Sequence, residues 1–177
     1  SHYQEEAYIE AAASYKTFRE LYPKHELASY ALYRIGESQY NQIPSTIDRD
    51  LEPAYAAIDA YQELNKQYPQ NEHAAEAKKR VDELRGKLAE KEDYVGDFYF
   101  RRAQYLGASG RYRQILANSH HYGLNEKSLF ALAYSYLKNT KSSTAEDTIE
   151  HLKLEHPHGN YLKDAEVLLK KIEQEKK

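Results

Sequence analysis

Histidine, tyrosine and arginine are the residues whose chemistry and spacing call for explanation first. The eight His include His120-His121 and His156-Pro157-His158. Two imidazoles flanking a proline could approach one metal ion, but no carboxylate or third His lies at a helical i,i+4 ligand spacing from them. His156 fills a helix-ending slot that Tyr22 and Tyr68 fill elsewhere, so its plain role is packing at a turn. No Gly-rich phosphate loop, nucleophile elbow or paired-carboxylate motif is present. Acidic runs such as Glu5-Glu6 and Glu90-Lys91-Glu92-Asp93 read as solvated helix faces. With no Cys in the chain, thiol catalysis, disulfides and zinc-thiolate centres are excluded. Catalysis finds little support, and no metal or cofactor is expected.

Tyrosine is abundant, with 18 in 177 residues. Tyr30, Tyr33 and Tyr40 follow one another at spacings of 3 and 7, with Tyr15, Tyr55 and Tyr61 on adjoining segments. Core packing between helices is the plain explanation. The functional one is a groove, where rigid aromatic bodies with a polar tip suit peptide binding. Arg101, Arg102, Arg111 and Arg113 bracket Gly107-Ala108-Ser109-Gly110, which reads as a turn. A lone Arg beside a turn is normally just solvated. Four beside one turn suit a carboxylate-bearing protein partner, and Arg111 is expected at an exposed corner. Charge agrees: residues 1–71 hold 6 Lys/Arg against 11 Asp/Glu, and the remainder holds 19 against 17. Neither half is basic enough for a nucleic-acid surface.

These residues need elements to position them. Forty-one per cent hydrophobic and 30% charged residues fit a folded chain, and 7 Gly with 5 Pro are too few turn signals for a sandwich or barrel. No run of 18 apolar residues exists to span a membrane. The start at Ser1-His2, without Met, reads as a cut or engineered end of a longer precursor.

A repeat organises the chain. Counting back by 5, 8 and 12 from Pro23, Pro69 and Pro157 gives Phe18, Tyr15, Ala11, then Leu64, Tyr61, Ala57, then Leu152, Ile149, Ala145. The register is small, large, large, Pro: three positions on one helix face, then a stop. Leu129, Leu132, Ala133 and Tyr136 lie 28, 25, 24 and 21 residues before Pro157, where the 34-residue tetratricopeptide pattern places its first-helix residues. In the unit before Pro69, Ala57 lies 21 rather than 12 residues beyond Gly36, so nine residues are inserted within Asn41–Glu52. Between Pro69 and Leu129 the spacing departs from the plain period, and Tyr122-Gly123 replaces Tyr-Pro.

The expectation is an all-α, TPR-like superhelix of about nine helices, near 3–22, 27–41, 53–68, 72–91, 93–107, 110–120, 125–138, 142–156 and 160–175. It forms one domain over 1–177: N-terminal repeats in 1–69 with the insertion at 41–52, a divergent region in 70–123, and a last repeat with a capping helix in 124–177.

Four stretches together resemble the BamD (ComL) family of outer-membrane assembly lipoproteins. They are Asp48-Arg49-Asp50, AYAAIDAYQELNKQYP (54–69), DELRGKLAEKE (82–92) and YVGDFYFRRAQYLGASGRYRQIL (94–116). The resemblance covers roughly 7–122 well and the C-terminal third through the repeat pattern alone. It implies a periplasmic, lipid-anchored scaffold of the β-barrel assembly machine. Such a scaffold docks on a POTRA domain of a BamA-like barrel protein, sits beside other lipoproteins of the complex, and receives unfolded outer-membrane protein segments. Arg111 matches the arginine that faces the POTRA domain in that family. The family's lipid-bearing Cys and first repeat are missing here, so membrane contact would come only through an anchor outside this chain. Another periplasmic TPR adaptor, or a peptide-binding chaperone module, is the alternative, and the insertion at 41–52 speaks against it.

Overall fold

The computed structural model describes residues 2–118 and 125–175. His120-His121 and Tyr122-Gly123 lie outside the described residues. Among the described residues there are eight helices and no strand, and the fold is all-α and TPR-like.

The backbone gathers into two compact units, Ser1–Leu88 and Ala89–Lys177. The first holds α1 (His2–Leu21), α2 (Ala28–Tyr40), α3 (Glu52–Gln67) and the start of α4 (Ala74–Arg101). α2 packs against both α1 and α3. Its core is Leu32, Ile35, Ala57, Tyr61, Leu64, Ala77, Val81 and Leu84, so the register read before Pro69 is the buried face of α3. The inserted stretch is irregular but tied down: Leu51 is buried, Ile43 packs on the core, and Lys87 Nζ donates to Pro44 O at 2.5 Å. The second unit holds the remainder of α4, then α5 (Tyr105–Asn118), α6 (Glu126–Lys138), α7 (Ser142–Glu155) and α8 (Leu162–Glu175). Leu129, Leu132, Ala133, Tyr136, Ala145, Ile149 and Leu152 are all buried, and α8 closes this core with Ala165, Leu168 and Ile172.

Two expectations about element ends are corrected. The segments expected at 72–91 and 93–107 run together as the 28-residue α4, because Glu90-Lys91-Glu92-Asp93 contains no stop and its charged side chains are compatible with a helix. The turn expected at Gly107–Gly110 is helical, inside α5. The chain reverses earlier, at 102–104, where Ala103 takes φ 56°. There Ala103 N donates to Phe100 O at 2.9 Å and Gln104 N to Tyr99 O at 3.0 Å. This is the Schellman pairing, in which a left-handed residue past the helix lets the next two N–H groups satisfy its last carbonyls. α6 ends the same way at Thr140, φ 56°, with Thr140 N to Leu137 O and Lys141 N to Tyr136 O.

Both stops lack the glycine that usually marks them. A β-branched Thr in this conformation costs roughly 1–2 kcal/mol, offset in part by the greater unfolded-state freedom of glycine. Thr140→Gly should therefore raise stability by about 0.5–1 kcal/mol in denaturant titration; a loss would contradict the cap. Gly110 is the converse case, exposed within α5 with open space where a Cβ would stand. Gly110→Ala should stabilise by about 1 kcal/mol. A melting temperature below wild type would mean that the segment needs its glycine as a turn.

Burial also recovers a repeat that the spacing argument missed. From Gly96, residues Ala108, Tyr112 and Ile115 lie 12, 16 and 19 places on; from Ala133, residues Ala145, Ile149 and Leu152 lie at the same intervals. All six downstream residues are buried. From Gly36 the intervals to Ala57, Tyr61 and Leu64 are nine longer, the length of the insertion. Residues 92–118 thus form a plain repeat within the stretch expected to be divergent. Size is traded across each helix pair. A Cβ on Gly36 would stand 2.5 Å from Tyr61 Cε1, and one on Gly96 2.6 Å from Tyr112 Cε1. Where the partner is the smaller Ile149, the residue is Ala133.

A candidate docking face and an aromatic face

In the second unit, helical geometry sorts the four arginines. Tyr94, Phe98, Arg101 and Arg102 follow at i, i+4, i+7 and i+8 along one side of α4 and its end. Tyr94 and Phe98 are 49% and 40% exposed. The Arg102 guanidinium sits 3.6 Å from the Phe98 ring centroid, and its Nη1 donates to Phe98 O at 3.4 Å. Arg101 Nε donates to Asp97 O at 3.3 Å. Both cations cover the carbonyl end of α4, where a positive charge is favoured. Both are held at the surface, and Arg102 has an aromatic body beneath it, the composition that dominates protein-binding hot spots.

Arg111 belongs to a different group. It lies in the second turn of α5 and directs Nη1 to Glu92 Oε2 at 3.2 Å. Glu92 is 14% exposed at its side chain and Arg111 39%. Glu92 lies two residues from Tyr94, about 200° round the helix, so this pair is on another side of α4 from the aromatic stripe. The expectation that Arg111 starts at an exposed corner is corrected, since the corner is at Ala103. Arg113 is exposed and two residues further along α5, again about 200° round. The structure brings Arg101 and Arg102 together and does not bring Arg111 or Arg113 to them.

Acidic side chains brace this face from behind. Tyr112 Oη donates to Asp97 Oδ1 at 2.8 Å, and Lys127 Nζ also reaches Asp97. Asp93 accepts from Asn125 Nδ2 at 3.3 Å and from the buried Ser128 hydroxyl. These bonds fix α5 and α6 on α4. Burial, and then the Asp97 acceptor, push the Tyr112 hydroxyl well above its ordinary pKa, so it remains a donor.

In the first unit the tyrosines divide. Tyr61 is fully buried and donates to Glu37 Oε1 at 2.5 Å, with burial and then that bond raising its pKa. Tyr40 donates to Glu83 Oε1 at 2.5 Å, and the Arg80 guanidinium lies 4.2 Å over its ring. Arg80 itself faces Glu37 at 3.8 Å, Glu76 at 3.3 Å and Glu83 at 3.4 Å. Tyr33 stacks on His73 at 4.0 Å with 6° between the planes. Burial raises the pKa of both Tyr33 and Tyr40. Tyr30 is 39% exposed, with Tyr55 at 50%. Of the three expected groove tyrosines, Tyr33 and Tyr40 are tied into packing and ion networks, and Tyr30 faces solvent. A pocket of about 100 Å³ beside Tyr40 is lined by Ile43, Glu83, Leu84 and Lys87.

Sequence reasoning overlooked Tyr94 and Phe98, although their i,i+4,i+8 relation to Arg102 was available. It also overlooked the acid that follows each tight glycine, Glu37 and Asp97, which receives the facing Tyr hydroxyl. Among the described residues no three His, Asp or Glu come together as metal ligands would, and no helix is long and apolar enough to cross a membrane.

Comparison with known proteins adds the ancestry. The family described as YfiO, outer membrane lipoprotein, matches residues 1–138. The outer membrane protein assembly factor BamD of Neisseria gonorrhoeae is 29% identical over 174 residues, 93% of this chain and 65% of that protein. BamD of Neisseria meningitidis serogroup B is 30% identical over 172 residues, 92% and 64% respectively. BamD of Caulobacter vibrioides is 30% identical over 137 residues, covering 77% of this chain and 45% of that protein. The chain thus spans just under two thirds of the length of its Neisseria relatives. A match that runs through α1 to the end of α6, across the insertion, the α4 stripe and α5, places this chain in the YfiO family of outer membrane lipoproteins.

Proposed function

We propose that this chain is a scaffold of an outer-membrane β-barrel assembly machine, acting at the periplasmic face of the outer membrane without catalysing a reaction. In this reading the second unit docks on a POTRA domain of a BamA-like protein. Arg101 and Arg102 supply the cationic edge beside Tyr94 and Phe98, while Arg111 and Arg113, which point to other sides, make separate contacts at its periphery. Other lipoproteins of the complex are further partners. The aromatic face of the first unit, with Tyr30 outermost and Tyr33 and Tyr40 behind it, receives unfolded outer-membrane protein segments. The observation that carries the reading is the exposed Tyr94–Phe98–Arg101–Arg102 stripe, which lies inside the family-matched residues. Two exposed aromatics beside two cations, one of them over Phe98, fit an acidic, partly apolar protein surface.

The direct test is a pull-down with the chain immobilised and the POTRA domains of the same organism supplied singly. Retention of one domain is expected. Failure to retain any would refute the docking role.

A further inference from the structure

We propose that Tyr112 and Lys127 are positioning residues for docking: they hold both oxygens of the Asp97 carboxylate, which keeps it off Arg101 and leaves that guanidinium open to a carboxylate of the partner. The inference rests on the reading that the α4 stripe docks on a POTRA domain, and it names what keeps the stripe ready.

Asp97 and Arg101 stand four residues apart on α4. Opposite charges at this spacing are neighbours on a helix surface and attract each other. The Arg101 guanidinium bonds the Asp97 backbone carbonyl instead, with Nε at 3.3 Å from it. The carboxylate is drawn the other way. Its Oδ1 accepts from Tyr112 Oη on α5 at 2.8 Å, and its Oδ2 pairs with the Lys127 ammonium on α6. The Asp97 side chain is 19% exposed and that of Lys127 54%, so the lysine reaches in from the surface to an acid set further back.

Taking either partner away returns a lone pair of Asp97 to its own helix, where the cation at pairing distance is Arg101. An internal ion pair then has to break before Arg101 accepts a carboxylate from outside, and the released acid repels that carboxylate as well. Arg102 escapes this competition. It lies five residues from Asp97, which is not a facing position, and its guanidinium is seated over the Phe98 ring.

The first unit separates the brace from its consequence. Glu37, the acid after Gly36, likewise accepts from a facing tyrosine, Tyr61, and meets a cation, Arg80, at 3.8 Å. Four residues beyond Glu37 stands Asn41, which carries no charge. That brace fixes helices and nothing more. In the second unit the same arrangement has an arginine at the fourth place, so it also sets the charge that the surface presents.

The test is a mutant cycle read by calorimetric titration of one POTRA domain of the same organism, each variant being shown folded by circular dichroism at the titration temperature. Lys127→Met is expected to weaken binding about fivefold when Arg101 is present and to have no effect in the Arg101→Gln background. Tyr112→Phe keeps the buried ring and loses only the donor, so it should show the same dependence on Arg101 with a smaller loss. Lys127→Arg, which still pairs with Asp97, should bind as wild type does. Side-chain NMR adds a reading that needs no partner: rotation about the Arg101 Nε–Cζ bond should slow in Lys127→Met and return to the wild-type rate in Lys127→Met/Asp97→Asn. A loss of equal size in both Arg101 backgrounds would mean that Lys127 touches the domain directly, and would overturn this role while docking stands. Unchanged rotation in Lys127→Met would overturn it equally. Absence of binding by wild type would refute docking itself, and this role with it.

Discussion

Tyr61→Ala is expected to destabilise the chain by about 3–5 kcal/mol, the range for deleting a buried aromatic side chain. The ring fills the space left by Gly36, is fully buried, and spans from α3 to α2, where its hydroxyl ends on Glu37. Removing it opens a cavity that glycine cannot collapse into, and leaves the Glu37 carboxylate without its donor. Tyr61→Phe separates the two contributions. It keeps the packing and loses only the bond to a charged acceptor, so about 1.5–3 kcal/mol should go. The complementary change, Gly36→Ala, forces the ring to move and should cost about 1–3 kcal/mol by overpacking. Equilibrium denaturation of the three variants checks the ordering, with Tyr61→Ala lowest. If Gly36→Ala proved as stable as wild type, the close approach of α2 and α3 would be wrong.

That glycine–tyrosine fit shows what the sequence made legible and what it hid. The small-large-large register before Pro69 and Pro157 was readable because burial of one helix face demands it, and Ala57, Tyr61, Ala145 and Ile149 are all buried where it placed them, while Ala11, Tyr15 and Phe18 before Pro23 are only half-buried. The repeat from Gly96 was hidden because its helix does not end in Tyr-Pro, the landmark from which the others were counted. The end of α4 was hidden for a related reason, whereas α6 ends at Lys138, where it was expected. A left-handed stop normally advertises itself as glycine, but Ala103 and Thr140 hold these two, whereas Gly107 and Gly110 sit inside a helix. Gly107 has a packing role there, since its missing Cβ leaves room for the Tyr99 ring, 3.1 Å from where that atom would stand. Displacing the turn by a few residues turned α5 relative to the expectation. It put Arg111 on Glu92 rather than at a corner, and left Arg101 and Arg102 as the outermost pair. Among the tyrosines, the choice between core and surface depends on which neighbouring helix lies above each ring, and a single helix pattern does not contain that.

Arg101→Glu/Arg102→Glu is expected to have the largest effect on partner binding. Arg102 lies over Phe98 with Arg101 beside it, and both side chains bond backbone carbonyls of α4. Reversal would set two negative charges against an acidic docking surface, weakening POTRA binding by about 2–5 kcal/mol if the interfacial charges are desolvated. Folding should weaken by about 1–2 kcal/mol, because two cations at the carbonyl end of α4 and the Arg102–Phe98 contact are lost. Arg111→Glu is expected to weaken binding by less than the double variant does, because Arg111 is turned to Glu92 away from the stripe, and to cost folding about 1 kcal/mol by setting a carboxylate beside Glu92 in place of a partly exposed ion pair. Phe98→Ala should weaken binding without any change of charge, which separates the aromatic contribution from the electrostatic one.

The central claim, that the second unit docks on a POTRA domain through the α4 stripe, is tested most directly by isothermal titration of that domain into the wild-type chain and into Arg101→Glu/Arg102→Glu at one salt concentration. A dissociation constant at least about thirtyfold weaker for the double variant, which is still fully folded at the titration temperature, is the predicted result. Equal affinity for the two proteins would contradict it.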